Sequence, residues 1–258
     1  MSSSNTLLKG KKVVIIGGSS GIGRGIAAAA LSNGASVVIA SSNQSKVDAA
    51  VELLKKGATT DGATVSGEAV NITDFAALSK FLKKEAPFDH FVSTAGEPPS
   101  GFGGSGPSAD VDIRDNFKDT LDVRYWAVLN AANIIHKNQL IRPGGSFTMT
   151  IGTFQQRPIP GVGFFIGVSG AVETATRALA VDLKPLRVNT ISPGFVLTEL
   201  LDHFPKEVLE PIVESARQKS LVGHVGTPEE VAEAYIFAMK CQYLTGQVIT
   251  VDGGGVLA

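Results

Sequence analysis

The feature that most constrains this chain is a regular alternation of short apolar runs and longer segments of helical spacing along its 258 residues. The apolar runs, such as residues 12–17 and 35–40, are rich in Val and Ile on both faces, as parallel strands are when helices cover both sides of a sheet. Strict β-α-β alternation predicts parallel strands joined by right-handed crossovers. The sequence therefore predicts the α/β class, with a doubly wound sheet.

The same pattern predicts where the elements lie. The strands are expected at residues 12–17, 35–40, 64–70, 90–93, 146–151, 187–191 and 247–251. The helices are expected at residues 21–32, 44–55, 74–85, 112–137, 162–183 and 228–239, and Pro211 is expected to interrupt a partly helical stretch over residues 206–226. No change in composition marks a second domain, so we expect one domain over residues 1–258, with a mobile Gly- and Pro-rich loop over residues 97–110.

Composition excludes several classes of protein. Charged residues make up 18% of the chain, against about 25% in average soluble domains, and 43% are hydrophobic, which excludes a disordered chain. A net charge of −1 offers no electrostatic footprint for nucleic acid or an anionic membrane. Cys241 is the only cysteine, the N-terminus lacks a signal-peptide pattern, and no apolar run approaches the ~18 residues of a membrane span. We therefore expect a cytoplasmic protein that has no metal site and does not bind nucleic acid or membrane.

A glycine-rich sequence, GGSSGIG, follows the first predicted strand directly and opens the first helix. Glycines at such a junction turn the chain and let the backbone approach a pyrophosphate, while the helix N-terminus supplies N–H groups and the positive end of its dipole. The strand before it and the helix after it make this a specific signal for a dinucleotide. The candidate ligands in and beside this loop are Gly17, Ser19, Ser20, Gly21, Ile22, Gly23 and Arg24.

The end of the second predicted strand bears on the choice of dinucleotide. Enzymes that bind NAD place a carboxylate there, on the ribose 2′-hydroxyl. This chain has Ser41, Ser42 and Asn43 instead. A carboxylate would repel a 2′-phosphate, whereas hydroxyl and amide groups can donate hydrogen bonds to one. We therefore expect NADP(H) rather than NAD(H) as the cofactor.

Together with Thr94-Ala95-Gly96 and the NTISPG sequence at residues 189–194, these residues resemble the classical short-chain dehydrogenase/reductase superfamily. The resemblance extends to LTGQ at 244–247 and VDGG at 251–254. It implies a seven-stranded Rossmann fold, NAD(P)(H), a substrate lid over residues 197–226, and homodimers or tetramers packed through the helices of residues 112–137 and 162–183. Further cofactor contacts that it implies are Asn71, Ile72, Thr94, Ala95, Gly96, Ser169, Pro193, Gly194, Val196 and Thr198.

The catalytic residues of the superfamily are not matched. Its members use an Asn, a Ser, and a Tyr four residues before a Lys, and the aligned positions hold Asp122, Gly152, Phe165 and Ser169. Phe165 has no proton to give, and Ser169 supplies no cation. General acid–base help contributes about 10²–10⁴-fold to a rate, so we expect poor activity on ordinary alcohols and ketones.

Three hypotheses about function remain open. The first is hydride transfer to an acceptor that needs no proton relay, an iminium or activated double bond, with Asp122 and Thr153 as candidate catalytic residues. The aromatic residues Trp126, Phe164 and Phe165 would then line the pocket of a small apolar or cationic substrate. The second is a non-redox cyclase or isomerase, for which diverged superfamily members of fungal alkaloid pathways offer an analogy. The third is a catalytically silent NADP(H)-binding protein.

Two of these candidates also have structural explanations. Asp122 can form a salt bridge with Lys118, one helical turn earlier. Trp126 can pack in the core or against another subunit, as can the neighbouring Tyr125.

Overall fold

The fold is built on a single seven-stranded sheet. The computed structural model describes residues 8–57, 62–96, 109–110, 112–202 and 204–258. The strands are β1 (Lys12–Ile16), β2 (Ser36–Ser41), β3 (Val65–Ala69), β4 (Phe88–Ser93), β5 (Ile141–Thr150), β6 (Arg187–Pro193) and β7 (Val248–Val251). Their order in the sheet is β3-β2-β1-β4-β5-β6-β7, and all neighbours are parallel. The predicted doubly wound Rossmann fold is confirmed.

Helices cover both faces of the sheet. They are α1 (Gly21–Ser32), α2 (Gln44–Gly57), α3 (Phe75–Glu85), α4 (Ile113–Leu121), α5 (Ala127–Lys137), α6 (Gly167–Asp182), α7 (Lys206–Lys219) and α8 (Pro228–Lys240). A π-helical turn lies at Asp122–Trp126, and 3-10 turns lie at Thr153–Gln155 and Glu199–Leu201. No helix among the described residues is both long and apolar enough to cross a membrane.

Strand β1 shows why the predicted strands are apolar throughout. Val13 and Ile15 pack into the layer formed with α1, α2 and α8, whereas Val14 and Ile16 pack into the layer formed with α3, α5 and α6. Alternate side chains of a strand point to opposite faces, so a strand covered on both sides needs apolar residues at every position. The strand order reverses between β1 and β4, which is where open α/β sheets bind ligands.

Two predicted helices have different bounds in the structure. The helix predicted over residues 112–137 is divided into α4 and α5 by the π-helical turn, a form that occurs frequently at functional sites. The helix predicted from residue 162 begins at Gly167 instead. Residues 162–166 form tight turns in which the Val162 carbonyl accepts the amide N–H groups of Phe165 and Ile166, at 3.1 and 3.0 Å.

Three further predictions fall on the irregular parts of the chain. Pro211 lies inside α7 rather than ending it, because this helix is exposed and water can satisfy the carbonyl that proline leaves unpaired. Strand β5 begins at Ile141, five residues before the predicted strand. Pro143 and the two glycines after it are typical of turns, so the sequence did not indicate a strand there. The predicted mobile loop at 97–110 lies, apart from residues 109–110, outside the described residues.

Candidate functional site

The glycine-rich loop lies beside the end of β4, at the point where the strand order reverses. Gly17 has a φ of +83°, and a Cβ atom on it would lie 2.7 Å from the backbone nitrogen of Ala95. The Thr94 hydroxyl donates to the Ile16 carbonyl at 3.1 Å and to the Gly17 carbonyl at 3.3 Å. The loop and the end of β4 therefore form one continuous surface, and no side chain fits at position 17. A diphosphate can approach the backbone closely at such a position.

The N-terminus of α1 opens onto the same surface. Gly21 begins the helix with a φ of +47°, and Ser20 before it is extended and makes no side-chain capping hydrogen bond. Helix N-termini of this kind bind anions through their N–H groups and dipole. With the glycine cradle and the buried Ser19, this donor set fits the diphosphate of a dinucleotide.

A carboxylate that the sequence did not predict lies at this helix end. The Gly21 N–H donates to Glu199 Oε2 at 2.8 Å, and Arg24 forms an ion pair with the same carboxylate. Thr198 lies against Gly21, with Cβ and Cγ2 3.1 Å from where a Gly21 Cβ would be. Burial alone would raise the pKa of Glu199, but backbone hydrogen bonds, including that from Gly21, and the Arg24 guanidinium hold it below its usual value.

Residues predicted for the adenosine end lie at the ends of β2 and β3. Asn43 Oδ1 accepts the Ser45 hydroxyl at 2.7 Å and the Lys46 amide at 3.1 Å, at the start of α2. Asn71 Oδ1 accepts the amide and hydroxyl of Thr73 at 3.1 and 2.8 Å. Both amide oxygens are thus used in local turns, which leaves the amide N–H groups as the ligand-donating part of each side chain. The remaining members of the predicted set here are Ser41, Ser42 and Ile72.

The cofactor residues predicted on β6 and after it are brought to the same edge of the sheet. Pro193 ends β6, and the Gly194 amide donates to the Val251 carbonyl at 2.9 Å. Val196 forms a parallel bridge with Gly226, and the Thr198 side chain lies against Gly21. The beginning of the predicted lid is therefore held between the glycine-rich loop and Gly226.

The four positions that the resemblance assigns to the family's catalytic residues lie around α4, β5 and α6. Asp122 opens the π-helical turn and forms an ion pair with Lys118, which raises the pKa of the Lys118 amine through their hydrogen bond. Gly152 lies two residues after the end of β5 and immediately before the 3-10 turn at Thr153–Gln155. Phe165 packs against Phe117 of α4 with ring centroids 5.9 Å apart, and Ser169 is in the first turn of α6.

The Lys118–Asp122 pair matches the structural explanation given for Asp122. Exposed ion pairs of this kind contribute little to stability, and the Asp122 side chain keeps 29% of its surface accessible. The pair therefore leaves the carboxylate able to contact a ligand.

Arg124 is a residue that sequence reasoning missed. Its guanidinium packs on Gly96, where an added Cβ would lie 2.4 Å from Arg124 Cζ. Gly96 has a φ of +146°, a backbone conformation that favours glycine, and a side chain there would have to displace the Arg124 guanidinium. Burial lowers the pKa of Arg124, although a guanidinium stays charged. A cation thus lies at the end of β4, beside predicted cofactor contacts; only the contact between two distant residues reveals it.

The aromatic residues predicted for a substrate pocket differ in how far they are exposed. Trp126 and Phe164 are 54% and 60% exposed, and Phe165 alone is half-buried, against α4. Tyr125 meets Trp126 edge-on and lines a groove of about 610 Å³ between α5 and α6. Thr153 starts the 3-10 turn after β5, where its carbonyl accepts the amide N–H groups of Gln156 and Arg157.

None of the chain's three tyrosines takes the place of Phe165. Tyr235 of α8 is fully buried and 2.7 Å from the Thr150 hydroxyl, and its burial raises its pKa above the usual value. Tyr243 is fully exposed after α8, and Tyr125 faces the α5–α6 groove. No group of three or more potential metal ligands occurs among the described residues.

Comparison with known sequences decides the family. The profile of the SDR-like Rossmann domain matches residues 4–258. The chain belongs to the short-chain dehydrogenase/reductase family. Its members are NAD(P)-dependent oxidoreductases, and the chain is one of them by sequence and fold.

Two curated fungal members of the family are similar over nearly the whole chain. The short-chain dehydrogenase/reductase malC of Malbranchea aurantiaca is 36% identical over 265 residues, which cover 98% of this chain and 97% of malC. The short-chain dehydrogenase/reductase ATR9 of Stachybotrys chlorohalonatus is 33% identical over 258 residues, which cover 97% of this chain and 98% of ATR9.

Solved structures of the family are similar as well. MalC of Malbranchea aurantiaca, described as a reductase/Diels-Alderase, matches with a TM-score of 0.89 and 34% identity over 99% of this chain and 100% of MalC. A small-chain dehydrogenase in complex with NADPH matches with a TM-score of 0.76 and 27% identity over 97% of this chain and 100% of that one.

Proposed function

We propose that this family member is an NADP(H)-dependent reductase whose acceptor does not need the proton relay of the family's Tyr and Lys, such as an iminium ion, or a strongly activated double bond whose product anion takes its proton from water. The observation that carries the proposal is the pair Phe165 and Ser169 at the start of α6, where the family's Tyr and Lys are expected. Phe165 packs on Phe117, and no tyrosine of the chain lies in α6 or the turn before it. On this alignment, a ketone would find no proton donor at the position of the family's Tyr.

The cofactor proposed is NADP(H) rather than NAD(H), and bound NADPH would supply a hydride. The glycine cradle and the N-terminus of α1 would hold its diphosphate, and Arg24 adds a cation beside them. Ser41, Ser42 and Asn43 would donate to a 2′-phosphate without the repulsion of a carboxylate. The similar dehydrogenase in complex with NADPH supports this choice.

The proposed acceptor follows from charge and proton balance. When a cationic C=N bond receives a hydride at carbon, its π electrons become the nitrogen lone pair and a neutral amine results. No proton is transferred, so neither a Tyr nor a Lys is needed. Asp122 would stabilise the cationic substrate, with Thr153 as a second polar contact, and Trp126, Phe164 and Phe165 would supply apolar surface.

Isotope transfer tests this proposal. The purified protein is supplied with NADPH deuterated at the transferable position and with matched panels of cyclic iminium ions and simple ketones. We expect deuterium in the amine products and little turnover of the ketones. Robust ketone reduction would contradict the proposal, and so would calorimetry that detected no binding of NADPH. Binding of NADPH with no product from either panel would instead support a catalytically silent protein.

A second candidate function is cyclisation without redox change. It is favoured by the similarity to MalC, which is described as a reductase/Diels-Alderase. In such a reaction the protein acts mainly by holding one substrate conformation, so the missing proton donor would not matter. A cyclised product formed without consumption of NADPH would support this function, whereas deuterium in the product would support the first.

We also propose that the protein forms a homodimer or tetramer through α4, α5 and α6. Among the described residues, the groove between α5 and α6 is open to solvent and lined mainly by apolar side chains. Apart from Leu179, the α6 residues that line it are small, which would let a helix from a second copy approach closely. The stretches predicted from the sequence for this contact, residues 112–137 and 162–183, include these helices.

A further inference from the structure

The contact of interest joins the lid to the glycine-rich loop. The carboxylate of Glu199 accepts the N–H of Gly21, the first residue of α1, at 2.8 Å and also pairs with Arg24. Glu199 is the first residue of the 3-10 turn near the start of the lid. The residues just before this turn are held by Gly226. There the Leu197 amide donates to the Gly226 carbonyl at 3.0 Å.

A carboxylate in this position imitates a phosphate. The first N–H groups of a helix and its positive dipole end bind any anion, and a carboxylate and a phosphate oxygen use the same donors. The Arg24 guanidinium likewise binds either group. Two anions at one helix end would repel each other, so Glu199 and a diphosphate compete for Gly21 and Arg24.

We propose that Glu199 is an internal competitor of the cofactor: its carboxylate closes the lid onto the diphosphate site, and the dinucleotide must displace it from Gly21 and Arg24 in order to bind. This inference rests on the proposed cofactor site and goes beyond it. Displacement of Glu199 moves the turn that carries Thr198, because Thr198 lies directly on Gly21. Entry of the cofactor and opening of the lid are therefore one event.

Calorimetric titration with NADPH and with adenosine 2′-phosphate, which has no diphosphate, tests the competition. Glu199→Gln removes the charge and keeps the shape, and we expect it to strengthen NADPH binding about 2- to 30-fold, the range that a charge at a helix N-terminus contributes. Binding of adenosine 2′-phosphate should not change. Glu233→Gln, the same charge change on an exposed residue of α8 outside the lid, serves as the control and should leave both affinities unchanged.

Glu199→Asp keeps the charge but shortens the side chain, so it should loosen the contact with Gly21 and strengthen NADPH binding less than Gln does. This variant also provides an answer if the Gln variant does not fold. An NADPH affinity that is unchanged or weakened in both Glu199 variants would overturn the inference while leaving the proposed cofactor intact. Absence of NADPH binding to all the proteins would overturn the proposed function and the inference together.

Discussion

Gly96 and Arg124 are the two residues whose contact shapes the end of β4. A Cβ at Gly96 would meet Arg124 Cζ at 2.4 Å, and the φ of +146° is unfavourable for any other residue. We expect Gly96→Ala to cost about 1–3 kcal/mol in the free energy of unfolding and to weaken NADPH binding. Denaturant unfolding and calorimetry measure these effects.

A double-mutant cycle separates the two causes of that cost. In an Arg124→Ala background the clash is absent and only the backbone strain remains, so Gly96→Ala should cost less there, by about 0.5–1 kcal/mol. Equal costs in the two backgrounds would show that Arg124 does not press on Gly96. Gly57→Ala is the control, since a Cβ at Gly57 would contact nothing within 4 Å.

His90 makes stability depend on pH. Its burial, with the nearby Arg187 charge, lowers its pKa to about 3, and its ring nitrogen lies 2.9 Å from the Ser146 hydroxyl. The unfolded chain takes up a proton near the usual His pKa of about 6.5, whereas the folded chain does not. The contribution of neutral His90 is therefore complete above pH ~6.5 and declines as the pH falls toward the folded-state value.

We expect the free energy of unfolding to fall by about 1–2 kcal/mol between pH 6.5 and 5 through His90 alone. The measurement is urea unfolding at several pH values, for the parent protein and for His90→Asn. The variant should lose most of this part of the pH dependence even if it is less stable throughout. An identical slope in the two proteins would assign the dependence to other groups.

At the scale of the element, α7 contains a proline that lowers the stability of this helix. Pro211 lies inside this exposed helix, where proline is less favourable than alanine by about 3 kcal/mol. We expect Pro211→Ala to stabilise α7 locally and to slow hydrogen exchange of amides in residues 206–219. Exchange in α8, measured in the same experiment, should stay the same. Faster exchange in α7 would mean that the proline stabilises the lid.

The π-helical turn at Asp122–Trp126 is the other element that departs from regular periodicity. It separates α4 from α5 and changes the angular spacing of the residues that follow Asp122. In a regular α-helix Tyr125 and Trp126, three and four residues after Asp122, would share its face; in the structure Tyr125 lines the α5–α6 groove. The irregular turn therefore changes the direction in which the side chains after Asp122 point.

At the scale of the whole molecule, the α5–α6 groove predicts association with a second copy. Ala171 and Ala175 of α6 line it, so Glu at either position should place a charge in the subunit contact. We expect Ala171→Glu and Ala175→Glu to lower the molar mass measured by light scattering after size exclusion. Ala28→Glu, on the exposed side of α1, is the control and should leave the mass unchanged.

If all these proteins have the mass of one chain, the proposed homo-oligomer is wrong. If the groove variants keep the mass of the parent oligomer, subunits meet through another surface.

Thermal unfolding of the monomeric variants would also test the proposed single domain, because one domain over residues 1–258 should unfold in one cooperative transition.

Local regularities in the chain were sufficient to predict the sheet, α1 and the glycine-rich loop. Val and Ile on both faces of β1, and glycines between β1 and α1, act through neighbouring residues, and their effect is visible in sequence spacing. The bounds of β5 and α6 were predicted less well, because turns adjoin both elements. Pro143 and its following glycines hid the start of β5, and residues 162–166 showed helical spacing although they form turns.

The charges of the candidate site depended on tertiary contacts instead. Arg24 was predicted to meet a phosphate, but it pairs with Glu199, and Glu199 reaches a backbone N–H group 178 positions away in the chain. Arg124 reaches Gly96 only because α4, the π-helical turn and β4 pack together. Spacing reports which residues share a strand or helix face, but a charge–charge or charge–backbone contact depends on where separate elements meet. The sequence was therefore enough for the fold and the position of the glycine-rich loop, whereas only the packed structure placed Glu199, Arg24 and Arg124 around that loop.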